Sequence, residues 1–414
     1  MPVRLDQVPT QALRPARPRV WLWLGFLLLC WLAGLALMAA SGTQPLQNQS
    51  ACFWGLALGV PTLGWCLLGF CRTVIYLGQQ CAADGWDEAR EDDLARRIGC
   101  GRRSQQILAV SLYTALSAQR EPPHLQLDAL LNGTKALKTQ PSRLDGAALS
   151  YSRLAGDTDE ELESAVRRVM LLVLADLSKT LMLLPSETPL ALLLEVDCSL
   201  PEKRLLQLWQ QAWTQSGIRQ SVRAVEGSGL AVLDKWLDQH IRDHALLLVI
   251  AIKFASNQPE GAAEAAVGLL FGNRLTQMIL PPVGYLHRPE LERGTTPQTL
   301  LYAARQALDW VPLEVNSVEH IWRVAIEAQR EIAMSTVLAE LALPEKHSSG
   351  SHDLDTLLGH PGKASPWLAI AAASQALQRG IGPQFIFSGS SPDETELWSM
   401  VLTPALPLSS RDKE

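Results

Sequence analysis

His360 follows a glycine and opens the run "GHPGKASPWLAIAAASQALQRG", an alanine-rich helical stretch that closes on Gly380. An imidazole held at such a helix start is suited to general acid–base work, because its pKa lies near neutral pH. Cys198, in "EVDCSLPEK", is the only cysteine beyond residue 105, and its thiolate would be a nucleophile. His347 and His352 lie in "EKHSSGSHD", which reads as a loop, and no carboxylate or cysteine stands at a spacing that would complete a metal site. No metal is expected. Other chemistries lack their parts. There is no G-x-S-x-G elbow, and no G-x-G-x-x-G follows a strand. The Gly-Lys of "GHPGKAS" has neither the earlier glycine nor the adjacent Ser or Thr of a phosphate-cradling loop.

The elements that position these residues begin with a membrane segment. Val20 to Ala40 carries no charge and is long enough to cross a hydrocarbon core of about 30 Å as a helix. A second apolar stretch, Cys52 to Cys71, holds Pro61, which a membrane helix tolerates when neighbours satisfy the freed carbonyl. Arg4, Arg14, Arg17 and Arg19 precede the first span, the link is uncharged, and Arg72 follows the second, so the positive-inside rule places both ends in the cytoplasm. A cleaved signal peptide is the rival, but the first run is long for one and a second span follows at once. The mixed-charge run from Ala83 to Arg103 reads as a solvated helix with acid–base pairs three or four residues apart.

The chain is 414 residues long with a net charge of −6, which argues against a grip on nucleic acid. Thirteen tryptophans, several in the first quarter, suit a membrane interface as well as a core. The seven cysteines follow no metal spacing and read as free thiols in a reducing compartment. Beyond about Gln105 short apolar runs alternate with helical patterns, the signature of an α/β body. "ALLLEVDC" and "HALLLVIAIKF" read as buried strands, "EKRLLQLWQQAWTQSG" as an amphipathic helix with a glycine C-cap, and "QFIFSGSS" with "ELWSMVLTP" as a closing strand pair. The expected organisation is a tail over 1–19, the hairpin over 20–71, a charged juxtamembrane helix over 72–104, the body over 105–404 and a tail over 405–414.

This order of elements resembles the thiolase and β-ketoacyl synthase superfamily, in which two similar α/β halves pack around buried helices. The likeness spans about 190–404 and rests on Gly359, His360, Ala364, Ala369 to Ala373, Gly380, Ser388 and Gly389. With the hairpin read from the apolar runs, the expected fold class is α/β: a two-helix transmembrane hairpin, then, as the resemblance implies, a thiolase-like layered α/β/α body with two similar halves. It also implies departures. If "GSGLAVLDKWL" is the helix that the family's acyl-carrying cysteine starts, that position falls at Glu226, two residues before Ser228. The family's lysine before Gly-His corresponds to Asp355, which reverses the charge, and its other histidine to His320, followed by the bulky Ile321 and Trp322.

These departures lead to the expectation of a non-catalytic scaffold or adaptor, with no catalytic residue and no cofactor. His360, His320, Cys198 and Glu226 then stand as remnants, and His360 is expected to serve packing or hydrogen bonding. In layout the chain also resembles accessory membrane proteins encoded among bacterial type VI secretion genes, which implies secretion components or effectors as protein partners. The membrane is a further partner, and the thiolase resemblance implies a homodimer. The alternative is a membrane-tethered β-ketoacyl-synthase-like enzyme using Cys198 or His360 on an acyl chain. A transporter is not expected, since two spans with no ionisable interior residue form no obvious substrate path.

Overall fold

The structure, a computed structural model, describes residues 3–41, 51–117, 123–144, 146–156, 160–344, 350–389 and 397–405. The link 42–50, His347 and the tail 406–414 lie outside the described residues. The chain divides into two compact units, Arg4–Arg97 and Met1–Val3 with Ile98–Glu414.

In the first unit, helix α1 (Val20–Ser41) is followed by helix α2 (Ala51–Gly101), and both contain a stretch long and apolar enough to cross a membrane. The charged run is not a separate helix, because α2 continues through it without a break. A π-helical turn at Gly55–Gly59 comes just before Pro61, which supplies no N–H to the ladder. Gly34 of α1 lies so close to the Ala57 carbonyl and the Pro61 ring that a side chain there would collide with them. Trp31 Nε1 donates to Thr62 Oγ1 at 2.9 Å, and Trp65 Nε1 to the Trp23 carbonyl at 2.8 Å, so both half-buried indole N–H groups find an acceptor. The "DGWDEAR" stretch holds the chain's own N-terminal segment. Asp84 and Asp87 pair with Arg14, Asp87 accepts from the Ala12 amide at 2.8 Å, and Arg90 donates to the Pro9 carbonyl at 2.7 Å.

The second unit is built on an 11-stranded sheet. Its first half comprises β1 (Ser104–Tyr113), helix α3 (Pro123–Leu131), a small hairpin of β2 (Lys138–Pro141) and β3 (Ala148–Tyr151), and helix α4 (Leu162–Leu181). Then come β4 (Leu190–Asp197), α5 (Glu202–Ser216), β5 (Val222–Ala224), α6 (Gly229–Gln239), β6 (Leu246–Lys253) and β7 (Ala265–Asn273). The second half runs through β8 (Gly284–His287), β9 (Glu290–Leu291), α7 (Pro297–Asp309), β10 (His320–Val324), α8 (Glu331–Glu340), β11 (Ser351–Asp353), α9 (Leu354–Leu358), α10 (Ser365–Gln378), β12 (Gln384–Gly389) and β13 (Leu397–Pro404). The strand order is β5-β4-β6-β7-β1 in one half and β11-β10-β12-β13-β8 in the other. Numbered within each half, both read third, second, fourth, fifth, first, with the fifth strand antiparallel to the fourth. The two similar halves expected from sequence are therefore present, and they meet edge to edge where β1 pairs antiparallel with β8.

Every residue of β6 and of β7 is buried, as uninterrupted aliphatic runs require when both faces of a sheet are covered. Helices α4 and α5 cover one face of the first half, with Met170, Val173, Leu174 and Leu177 packed on Leu192, Leu248 and Ile250. On the other face lies α10, buried from Ser365 to Leu377 and in contact with strands of both halves. Its alanines let strands of both halves of the sheet approach it closely, which longer side chains would prevent. Gly217, at φ 73°, ends α5 as its position predicts.

Two buried histidines make stability depend on acid. Burial pushes His287 and His352 down to about 4, with the charge of Arg274 adding for the first and that of His320 for the second. Between pH 6.5 and 4 the unfolded chain binds the extra protons, so stability is complete above the window and is lost as pH falls through it, by on the order of 3 kcal/mol per histidine. Glu290, pushed up to about 7 by burial, opposes them: its contribution is lost as pH rises from about 4.5 to 7. The net expectation is a melting temperature that falls between pH 6.5 and 4.5, with a shallower slope in His352→Gln; an unchanged slope in that variant would refute the assignment.

Candidate active site

The parallel strands β4 and β6 end side by side, with Asp197 opposite Lys253 in their register. Lys253 Nζ lies 3.8 Å from Asp197 Oδ2, and burial pushes the Lys253 amine down against the pull of Asp197. From the second half comes the turn that follows α9. Gly359, at φ 95°, and Gly362, at φ 58°, shape it, and both conformations favour glycine. A Cβ on Gly362 would lie 3.1 Å from Lys253 Nζ and 3.2 Å from Asp197 Oδ2, so the turn crosses directly over that pair. The His360 amide donates to the Gly261 carbonyl at 2.8 Å, and its carbonyl accepts from the Ala263 amide at 3.0 Å. The backbone of the turn is thereby stitched to the segment leading into β7.

The side chain of His360 is not a packing residue, since 55 % of it is exposed. Its Nδ1 lies 3.3 Å from Asp355 Oδ1, and the hydrogen-bonding and charge of that carboxylate raise the His360 pKa above the ordinary imidazole value. Asp355 is 12 % exposed and accepts from the Ile326 amide at 3.2 Å, which fixes it. The charge reversal read from sequence as a loss is thus the partner of His360: a carboxylate at ion-pair distance that favours its protonated form.

The other sequence candidates do not join this site. Cys198 follows β4, where Leu194, Val196 and Cys198 pack towards α4 and α5, while Glu195 and Asp197 face the opposite layer. Burial pushes its thiol up, away from the thiolate. His320 opens β10, about 13 Å along the strand from Val324 at the site end. Its Nδ1 lies 2.7 Å from His352 Nε2, at the start of β11, in a stacked pair. Ile321 and Trp322 are fully buried core residues of β10, so they fill no loop beside His360. Glu226 is exposed, ahead of α6, on a cleft of about 830 Å³ that runs along β5 and α6. Sequence reading missed Lys253, Asp197 and Glu195. The alternation along "LLEVDC" was the available signal, since it puts Glu195 and Asp197 together and Cys198 opposite.

No family model matches the chain, and no curated protein does. Solved structures do. The ishigamide ketosynthase/chain length factor is similar with a TM-score of 0.53 and 15 % identity, over 73 % of this chain and 100 % of that one. Human mitochondrial 3-ketoacyl-CoA thiolase in complex with CoA gives a TM-score of 0.46 and 9 % identity, over 74 % of this chain and 99 % of that one. The resemblance to secretion-locus proteins finds no support among them. The expectation of a catalytically empty scaffold, and of no enzyme activity, is corrected here: the body aligns with a ketosynthase-type structure over that protein's whole length, and two ion pairs converge where the empty site was expected. With its repeated strand order, its buried helix α10 and this likeness, the body has the thiolase-like fold.

Proposed function

We propose that the chain is a membrane-tethered enzyme of the thiolase-like type that transfers an acyl group from a thioester. The observation that carries this reading is the convergence of His360 with Asp355, and of Lys253 with Asp197, on one glycine-shaped turn between the halves. His360 takes the proton of the acceptor as the acceptor attacks the thioester carbonyl. The Lys253 ammonium faces the negative charge that develops on oxygen. As the carbon–sulfur bond breaks, the leaving thiolate recovers the proton from His360, so one acceptor and one thioester give one acylated acceptor and one thiol. Cys198 packs on the other side of the sheet, so the acyl group passes to the acceptor directly.

Purified full-length protein in detergent micelles, given acyl-CoA thioesters from acetyl to palmitoyl, should release free thiol over time, with acylated product seen by mass spectrometry. Folded protein that releases no thiol from any chain length would refute the reading.

The tether is read from α1 and α2. Arg14 paired with Asp84 and Asp87 supports placing the start of α1 and the polar part of α2 on one side of the membrane, and the arginines before Val20 support the cytoplasm. A cysteine introduced at Thr10 and the exposed native Cys81 should react together with a membrane-impermeant maleimide only after the cells are opened. Labelling of either in intact spheroplasts would count against this orientation.

A further inference from the structure

Glu195 lies two residues before Asp197 on the same face of β4, about 7 Å away. It is buried, and each carboxylate oxygen has its own donor. Oε1 accepts from the Gly229 amide, the first residue of α6, at 2.6 Å, and Oε2 accepts from the indole Nε1 of Trp367 at 2.6 Å. Trp367 is fully buried and is the third residue of α10, the helix that the His360 turn leads into. Charge makes both bonds stronger than those of a neutral acceptor, and the positive end of α6 adds to the first.

We propose that Glu195 is a positioning residue for His360, tying β4 and α6 of the first half to α10 of the second. The proposal rests on the reading of His360 as the base. The His360 turn is held at its start by backbone bonds to Gly261 and Ala263. Its far end is held by α10, and α10 is fastened across the halves through Trp367 and Glu195. The separation of His360 from Lys253 and Asp197 is therefore set by a carboxylate that touches none of them. Glutamine cannot replace it, because its amide offers one acceptor and one donor where the site presents two N–H groups.

The test uses full-length Glu195→Gln and Trp367→Phe in detergent micelles, with two readouts. The first is thiol release: kcat should fall by about 10²-fold with KM within about 2-fold, as expected when a base is misplaced by about 1 Å. The second needs no turnover. Carbethoxylation of the half-exposed His360 by diethyl pyrocarbonate, followed by mass spectrometry against pH, should show its midpoint moved to lower pH as the hold of Asp355 loosens. A lower melting temperature with an unmoved midpoint and unchanged kcat would mean a merely structural tie and would overturn the proposal. If the parent protein releases no thiol, the acyl-transfer reading fails by itself, and the carbethoxylation midpoint still decides whether Glu195 positions His360. Should Glu195→Gln fail to fold, Trp367→Phe, which removes a single donor, carries the same test.

Discussion

Replacing His360 by alanine is expected to lower thiol release by on the order of 10²-fold or more while leaving the protein folded. The expectation of a large rate effect with a small stability effect comes from which atoms do the holding. The bonds that stitch the turn to Gly261 and Ala263 use the backbone of His360, and alanine keeps them. The imidazole contributes only its contact with Asp355, and that carboxylate keeps the Ile326 amide as a donor. The stability cost should then stay below about 1.5 kcal/mol. Asp355→Asn gives the complementary result. The carboxylate raises the His360 pKa, so activity, which needs the neutral base, should rise with pH through a midpoint above the usual imidazole range. In Asp355→Asn that midpoint should move to lower pH. Cys198→Ser should leave the rate within about 2-fold, since its side chain packs on the other face. A His360→Ala protein with wild-type thiol release, or a Cys198→Ser protein without any, would sink the assignment of the base.

The largest expected effect on stability belongs to Arg288, which is fully buried just after β8. Its Nε donates to Asp234 Oδ1 at 2.7 Å, its other nitrogens to Asp238 at 2.8 and 2.7 Å, and one also reaches the Cys100 carbonyl at 3.2 Å. Within the second unit, which includes Cys100, one guanidinium thus joins α6, the Cys100 carbonyl and the segment after the strand that couples the halves. In Arg288→Met, Asp238 retains Arg103 at 3.1 Å, whereas Asp234, 4 % exposed, is left as a buried charge without its guanidinium. The cost of breaking such a pair is about 3–5 kcal/mol, which corresponds to a fall in melting temperature on the order of 10 °C. Adding Asp234→Asn should recover part of the loss, because the buried charge that lost its guanidinium is then gone. A single variant that melts within about 2 °C of the parent would show that the network contributes little.

Much of the framework is legible in the order of the residues alone. The run "LLLVIAIK" had to be a strand covered on both faces, and β6 is buried throughout. The 3.6-residue spacing of Leu205, Leu208, Trp209 and Ala212, with Gly217 after it, had to be an amphipathic helix and its end. Two apolar runs separated by an uncharged link had to form a helical pair, and Gly34 against Ala57 and Pro61 shows the pair packed. The strand β1 was not recognised as belonging to the first half, because its partners β7 and β8 follow it by some 150 residues or more and nothing local marks them.

The candidate site was legible only in part. His360 stood out by its glycine and its helix, but Asp355 read as a defect until the turn at Gly359 brought it to 3.3 Å. Cys198 and His320 drew attention by residue type, and the tertiary structure separated both from His360 through the alternation of β4 and the direction of β10. Asp197 with Lys253, and Glu195 with Trp367, bring together residues 56 and 172 positions apart. The sequence by itself determined the apolar hairpin, the helices and strands, and which side of each faces a core, because period and burial are properties of adjacent residues. Only the tertiary structure decided which strand ends meet, which carboxylate serves His360, and which thiol is turned away, because those pairings arise from the register of remote segments, whose free energy is shared among many contacts and leaves no mark in any single stretch.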